Sequence, residues 1–223
     1  MIKSCVKLLP VMLLLCGIYA CSPKESTEKK TPEAVHFWHD TTTFHASGMV
    51  NALIEIPAGS DKKYELDKTT GELKWETLEN GRKRHIQYLP YPANYGMIPR
   101  TLLPESEGGD DDPLDVIILG PTIKRGTIVP CRIIGVLLLT DSGEQDDKLI
   151  AVRDSTAFSG ITNLDELDSR FPGVKEIIKI WFTHYKGDNI TTSLGWKNSK
   201  IAYEILEEAV FEYKSEFTDS VDL

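Results

Sequence analysis

The apolar residues of this 223-residue chain change their period once, near Ile161, and that switch restricts the architecture more than any other feature. Upstream lie short runs of strand length: 50–56, 62–67, 72–76, 114–119, 132–139 and 149–152. Lys68-Thr69-Thr70-Gly71 reads as a hairpin turn between the second and third runs. Two prolines and a glycine in the loop 90–96 exclude a helix there. Downstream, Leu164, Leu167 and Phe171 suggest a short helix closed by Pro172-Gly173. Val174, Ile177, Ile178, Trp181 and Phe182 recur at helical spacing, and so do Ile201, Ile205, Ala209, Val210 and Tyr213. Strands followed by helices is the order of an α+β fold. Many short strands of alternating pattern suggest a small closed barrel.

The amino terminus follows another plan. Lys3 and Lys7 precede a mostly apolar run, 8–20, that is short for a bilayer span. Residues 1–20 therefore read as a secretory signal peptide. Ile18-Tyr19-Ala20-Cys21 resembles the lipobox of bacterial lipoproteins, which implies cleavage before Cys21 and a lipid on it. Residues 21–45 are expected to be the lipidated Cys and a flexible tether, since 22–35 is rich in Lys, Glu, Thr and Pro. His36, His39 and His45 in that stretch match no defined metal spacing and read as surface or linker residues. The folded domain is expected over 46–223. An exported, membrane-anchored protein is the expected location, with the lipid as its membrane contact. Of the four cysteines only Cys131 falls in the body, inside an apolar run, and reads as core packing.

Charge narrows the partners. The formal net charge is −9, and loss of Lys3 and Lys7 with the signal makes it −11. That argues against a broad nucleic-acid surface, which needs a basic excess.

The chemistry concentrates in two acidic segments. Gly108-Gly109-Asp110-Asp111-Asp112-Pro113-Leu114-Asp115 packs four carboxylates into six positions. In an extended chain Asp110 and Asp112 point the same way. Asp115 opens an apolar strand, where a charge needs a partner. Carboxylates so close take up protons unless a cation neutralises them, and a hard divalent ion is the natural one. Leu114 and Asp115 stand where an EF-hand loop needs an oxygen ligand and a glycine, so it is not an EF-hand. The second segment, 139–148, returns directly to a strand and carries Asp141, Glu144, Asp146, Asp147 and Lys148. Two acidic turns at strand ends could meet at one barrel mouth. Lys63, Arg84, Lys148 and Lys186 add local positive charge. Metals beside Lys and Arg are the means of holding a phosphate-rich anion.

At these residues the chain resembles the soluble, family I inorganic pyrophosphatases. Asp110-x-Asp112-Pro113-x-Asp115-Val116 and Asp141-x4-Asp146-x-Lys148 carry the resemblance. Ile54-Glu55-Ile56-Pro57, Lys63-Tyr64-Glu65, Asn94-Tyr95-Gly96 and His184-Tyr185-Lys186 follow in family order. The resemblance runs from about Met49 to Tyr213. It implies a five-stranded OB-like closed barrel with flanking C-terminal helices. It implies hydrolysis of pyrophosphate to two orthophosphates with several Mg2+ per site, Mn2+ or Zn2+ being possible substitutes, and a metal-bridged water as nucleophile. Asp110, Asp115 and Asp146 would ligate activating metals, Asp141 metals arriving with substrate, and Asp112 would deprotonate the water. Lys63, Arg84, Lys148, Tyr185 and Lys186 would grip phosphates, with Tyr95 near them. Arg82 or Lys83 could replace Arg84. Glu55 and Glu65 would hold metal waters or orient Lys and Arg. Asp111 stands where the family often has a small residue. A homo-oligomer is expected. The competing readings are a phosphohydrolase of other polyphosphates or nucleotides, and a non-catalytic OB-type binding lipoprotein.

Overall fold

A computed structural model describes residues 35–217, besides Met1. The signal peptide, Cys21 and the tether up to residue 34 lie outside the described residues, and the chain divides into units Met1–Glu33 and Ala34–Leu223. Every helix and strand among the described residues belongs to the second unit.

Seven strands form one mixed sheet: β1 (Val50–Ile56), β4 (Asn94–Met97), β5 (Asp115–Leu119), β6 (Ile128–Asp141), β7 (Glu144–Gln145), β8 (Lys148–Val152) and β9 (Thr191–Asn198). A separate hairpin joins β2 (Tyr64–Leu66) and β3 (Leu73–Trp75). The pairings β1–β4–β5–β8–β6 return to β1, because β1 pairs antiparallel with β6 as well as with β4. All of these contacts are antiparallel except β5 with β8. Three helices follow: α1 (Leu164–Arg170), α2 (Val174–His184) and α3 (Ser199–Phe217).

Both faces of β1, β4, β5 and β8 are buried, which explains runs such as Asp115-Val116-Ile117-Ile118-Leu119 that do not alternate with polar residues. Ile117, Leu119, Ile150 and Val152 join Ile178, Trp181 and Phe182 of α2 in one cluster. Val116, Ile118, Leu149 and Ala151 join Ala202, Leu206 and Ala209 of α3 in another. Successive residues of a strand point to opposite sides, so each strand feeds both clusters. Cys131 is fully buried, and its thiol donates to the Val50 carbonyl at 3.3 Å. Burial pushes that thiol up to about 12, so it is inert. Gly96 lets β4 close on β1, for a Cβ there would fall 1.7 Å from the Leu53 carbonyl oxygen.

The structure corrects the sequence reading in four places. The expected loop 90–96 gives way at Asn94 to strand β4, held between β1 and β5. A strand, β9, lies between α2 and α3 and pairs antiparallel with β6. Its sequence, TTSLGWKN, is polar because much of it is exposed, and Gly195 takes φ +102. In α2 the apolar stripe is narrower than its spacing implies: Ile178, Trp181 and Phe182 are buried, but Ile177 is exposed. The expected tether also extends too far, since residues 35–45 pack on the domain. Trp38 is 3% exposed and its indole N–H donates to the Thr101 carbonyl at 2.9 Å. The Thr43 hydroxyl donates to the Pro99 carbonyl, and Phe44 bridges Val50. A tryptophan that buries its ring and satisfies its N–H has reason to order the chain around it.

Candidate active site

The parallel pairing of β5 and β8 brings the two acidic turns together. It sets Asp115 opposite Lys148 at the start of both strands. Asp146 lies two residues before Lys148, and Asp141 ends β6. The turns are tied directly, the Gln145 N–H donating to the Gly108 carbonyl at 2.8 Å.

Around this junction opens a cleft of about 340 Å3. All thirteen sequence-predicted site residues of the body line it, from Glu55 on β1 to Tyr185 and Lys186 beyond α2. Arg84 lines it, whereas Arg82 and Lys83 do not. Lys83 instead pairs with the Trp75 carbonyl and the Thr77 hydroxyl. Two charged residues of the lining, Lys68 and Glu76, fall outside the sequence expectation. Lys68 sits in the hairpin turn, where strand alternation gives no facing. Glu76 reaches the site because the chain turns out through Thr77–Lys83, a bridged pair, and returns with Arg84 beside it. The Arg84 guanidinium donates to both Glu76 oxygens, at 2.8 and 3.0 Å.

Asp110 and Asp112 both reach the cleft, but not through an extended segment. Asp111 between them has φ +58, the left-handed region. Its carboxylate turns away and accepts the Glu105 N–H at 2.9 Å, so Asp111 braces the loop. The Asp112 N–H donates to Asp110 Oδ1 at 3.1 Å.

The lining holds eight carboxylates (Glu55, Glu65, Glu76, Asp110, Asp112, Asp115, Asp141 and Asp146) against five cations (Lys63, Lys68, Arg84, Lys148 and Lys186). Lysines are interleaved with the acids. Lys148, 2% exposed, pairs with both Asp115 and Asp146. Lys186 pairs with Asp141, Lys68 with Asp112, and Lys63 with Glu65. Among the described residues no three acidic, His or Cys side chains already converge as a metal-binding group.

Burial, more than mutual repulsion, dominates the electrostatics of these acids. Burial, then the neighbouring Asp112, pushes the Asp110 carboxyl up to about 6. Burial also raises Asp146, although Lys148 opposes it. Glu55, 5% exposed, is pushed up to about 8 by burial, with Lys63 opposing. Burial disfavours the Lys148 ammonium, but Asp115 and Asp146 outweigh it and hold its pKa above the ordinary lysine value. Raised carboxyls among all-oxygen donors fit a hard divalent cation, which removes the repulsion. Lys148 takes one oxygen of each of Asp115 and Asp146, so a cation bound there either shares the carboxylates with the ammonium or displaces it.

Aromatic packing holds the other wall. Tyr185 stacks on Trp181, ring centres 4.4 Å apart, and the Trp181 N–H donates to the Leu89 carbonyl at 2.9 Å. Lys148 Nζ lies 5.8 Å from the Tyr95 ring centre. Apart from the two tyrosines, only Leu66, Met97 and Pro113 supply apolar lining, little wall for a nucleobase.

The chain is also similar to known proteins. A family profile described as inorganic pyrophosphatase matches residues 52–214. An inorganic pyrophosphatase of Campylobacter jejuni is 36% identical over 169 residues, 74% of this chain and 92% of that relative. The type I inorganic pyrophosphatase structure from Toxoplasma gondii superposes with a TM-score of 0.76 at 25% identity, over 81% of this chain and 88% of that one. The enzyme structure from Thermus thermophilus gives 0.68 at 29% identity, over 81% and 99%. With most of the folded body matched and bacterial relatives covered almost end to end, this chain belongs to the inorganic pyrophosphatase family.

Proposed function

We propose that this protein hydrolyses pyrophosphate to two orthophosphates. The observation that carries the reading is the convergence of eight carboxylates and five cations on one small cleft, in a chain of this family. Asp110, Asp115 and Asp146 are the residues to hold activating Mg2+, with Asp141 holding metal that arrives with substrate. Bound Mg2+ supplies charge neutralisation and makes water more acidic. Asp112 takes the proton from the attacking water as the new P–O bond forms and the bridging P–O bond breaks. Lys63, Arg84, Lys148, Lys186 and Tyr185 bind the phosphate oxygens and neutralise charge growing on the leaving phosphate. Glu76 steers Arg84, and Glu55 and Glu65 bear on Lys63. Mn2+ or Zn2+ could substitute on the same oxygen ligands.

The finer features belong to the same proposal. The ring of pairings through β1, β4, β5, β8 and β6 supports reading the sheet as a small closed OB-like barrel. The basic-then-apolar start and Ile18-Tyr19-Ala20-Cys21 support export and a lipid on Cys21. The enzyme would then recover phosphate from pyrophosphate outside the cytoplasm. Exposed Ile177 and Ile180 on α2 favour self-association into a homo-oligomer.

Phosphate release from Mg-pyrophosphate, beside ATP, tripolyphosphate and an Asp112→Asn control, tests the reaction. Turnover of pyrophosphate alone, lost in the control, is expected. No turnover with Mg2+, Mn2+ or Zn2+ would leave a binding protein. Mass spectrometry of the mature amino terminus tests the lipid, and an unmodified cytosolic chain would overturn it. Sedimentation tests the oligomer.

A further inference from the structure

Lys68 is a charged residue of the cleft with no part in the hydrolysis as proposed. It projects from the β2–β3 turn, and that turn is firmly tied. Asp67 Oδ1 accepts both the Thr70 N–H and its hydroxyl at 2.8 Å, and Asp67 Oδ2 pairs with Lys74 at 2.7 Å. The Phe37 N–H donates to the Gly71 carbonyl at 3.1 Å. Gly71 has φ +69, and a Cβ there would lie 2.3 Å from the His36 ring. The amino-terminal segment thus clamps the turn from behind.

From this base Lys68 spans to the acidic loop at two points. Its Nζ lies 2.8 Å from Asp112 Oδ1 and donates to the Asp111 carbonyl at 3.1 Å. The second contact holds the backbone just before Asp112, at the left-handed residue. The Asp112 side chain is 55% exposed, and among the described residues Lys68 is its one ion-pair partner. An exposed aspartate held at no other point samples several rotamers. A proton acceptor must lie within about 2.6–3.2 Å of the proton's donor atom. A carboxylate that serves in one rotamer therefore needs a group to select it.

We propose that Lys68 is a positioning residue for Asp112, holding its carboxylate in the orientation that accepts the proton of the attacking water. The inference rests on the reading of Asp112 as proton acceptor. Lys68 acts through Asp112 and not as a further phosphate ligand.

Steady-state kinetics of the full chain with Mg-pyrophosphate test this. Lys68→Met is expected to lower kcat about 10-fold, a part of the roughly 10²–10⁴ that a general base contributes. KM should stay within about twofold, because the phosphates lose no contact. Lys68→Arg, which keeps the charge and reach, should recover most of kcat. In an Asp112→Asn background, Lys68→Met should change kcat by less than about twofold, since the group it positions is gone. An equal loss in both backgrounds would overturn the proposal. So would a raised KM at unchanged kcat, which would make Lys68 a phosphate contact. If Asp112→Asn is too slow to measure, the kcat-against-KM split and the Arg rescue decide, and loss without rescue counts against it. Full activity of Asp112→Asn would sink the Asp112 reading by itself, whatever Lys68 does.

Discussion

Replacing Lys148 by Met should weaken the metal-free protein and tighten its hold on Mg2+. Lys148 is 2% exposed and its ammonium pairs with Asp115 and Asp146 together. Removing one partner of a buried ion pair costs about 3–5 kcal/mol, because the charges left behind lose their counter-ion. Here the two aspartate side chains keep 23% and 18% of their surface, so water softens the loss. About 2–3 kcal/mol in EDTA is the expected cost, read by urea unfolding. Mg2+ then restores the missing positive charge. In wild type the Lys148 ammonium repels an arriving cation and competes with it for Asp115 and Asp146, whereas the variant carries no such charge. The variant should therefore bind Mg2+ at least about tenfold tighter, worth about 1.4 kcal/mol. The stability gap measured in EDTA should narrow by that amount at saturating Mg2+. Turnover should fall at the same time, since a phosphate-facing cation is lost. Titration calorimetry with Mg2+ provides the second reading. An unchanged or weaker Mg2+ affinity, with an equal stability gap in EDTA and Mg2+, would refute the reasoning that Lys148 and metal compete for Asp115 and Asp146.

Trp38→Ala should cost about 3 kcal/mol of stability in urea unfolding, the lower end for deleting a buried Trp, because the amino-terminal segment can partly relax. A loss under about 0.5 kcal/mol would mean that residues 35–45 are a tether after all. Glu55→Gln should flatten the pH dependence of stability in EDTA. Folded Glu55 titrates at about 8 against about 4.5 unfolded, so the folded state holds the extra proton between those values. Stability from this group is present below about pH 4.5 and is lost as pH rises toward 8. Wild type should lose more stability than Glu55→Gln between pH 5 and pH 8, by up to a few kcal/mol; equal slopes would contradict the burial argument. Gly96→Ala should abolish the soluble folded protein, since the Leu53 backbone cannot give way by the distance a Cβ 1.7 Å from its carbonyl demands. A variant with native circular dichroism and activity would show that β1 and β4 can separate.

Residue chemistry at short range was legible in the sequence. The acids and lysines of the site declared themselves by density, as in Asp110-x-Asp112 before Asp115, and by costly placement, as with Asp115 at the head of an apolar strand. The apolar runs announced β5, β6 and β8, and the helical spacing announced α1, α2 and α3, because burial imposes a period on local sequence. Cys131 was readable as core for the same reason.

Whatever depends on residues distant in the chain was decided by tertiary structure. The parallel register of β5 with β8 brings Asp115 to Lys148 and joins the two acidic turns, and no local pattern encodes a register between strands 33 residues apart. The edge strand β9 carries too little apolar surface to show a period. The amino-terminal segment is polar enough to read as a tether, yet one tryptophan finds its partners at Thr101 and Tyr213. Lys68 and Glu76 entered the site through a turn and a bridged excursion, where alternation ceases to say which way a side chain faces. Composition and period thus determined which residues could do the chemistry. Long-range pairing, which alone sets distances between charges, decided how they meet.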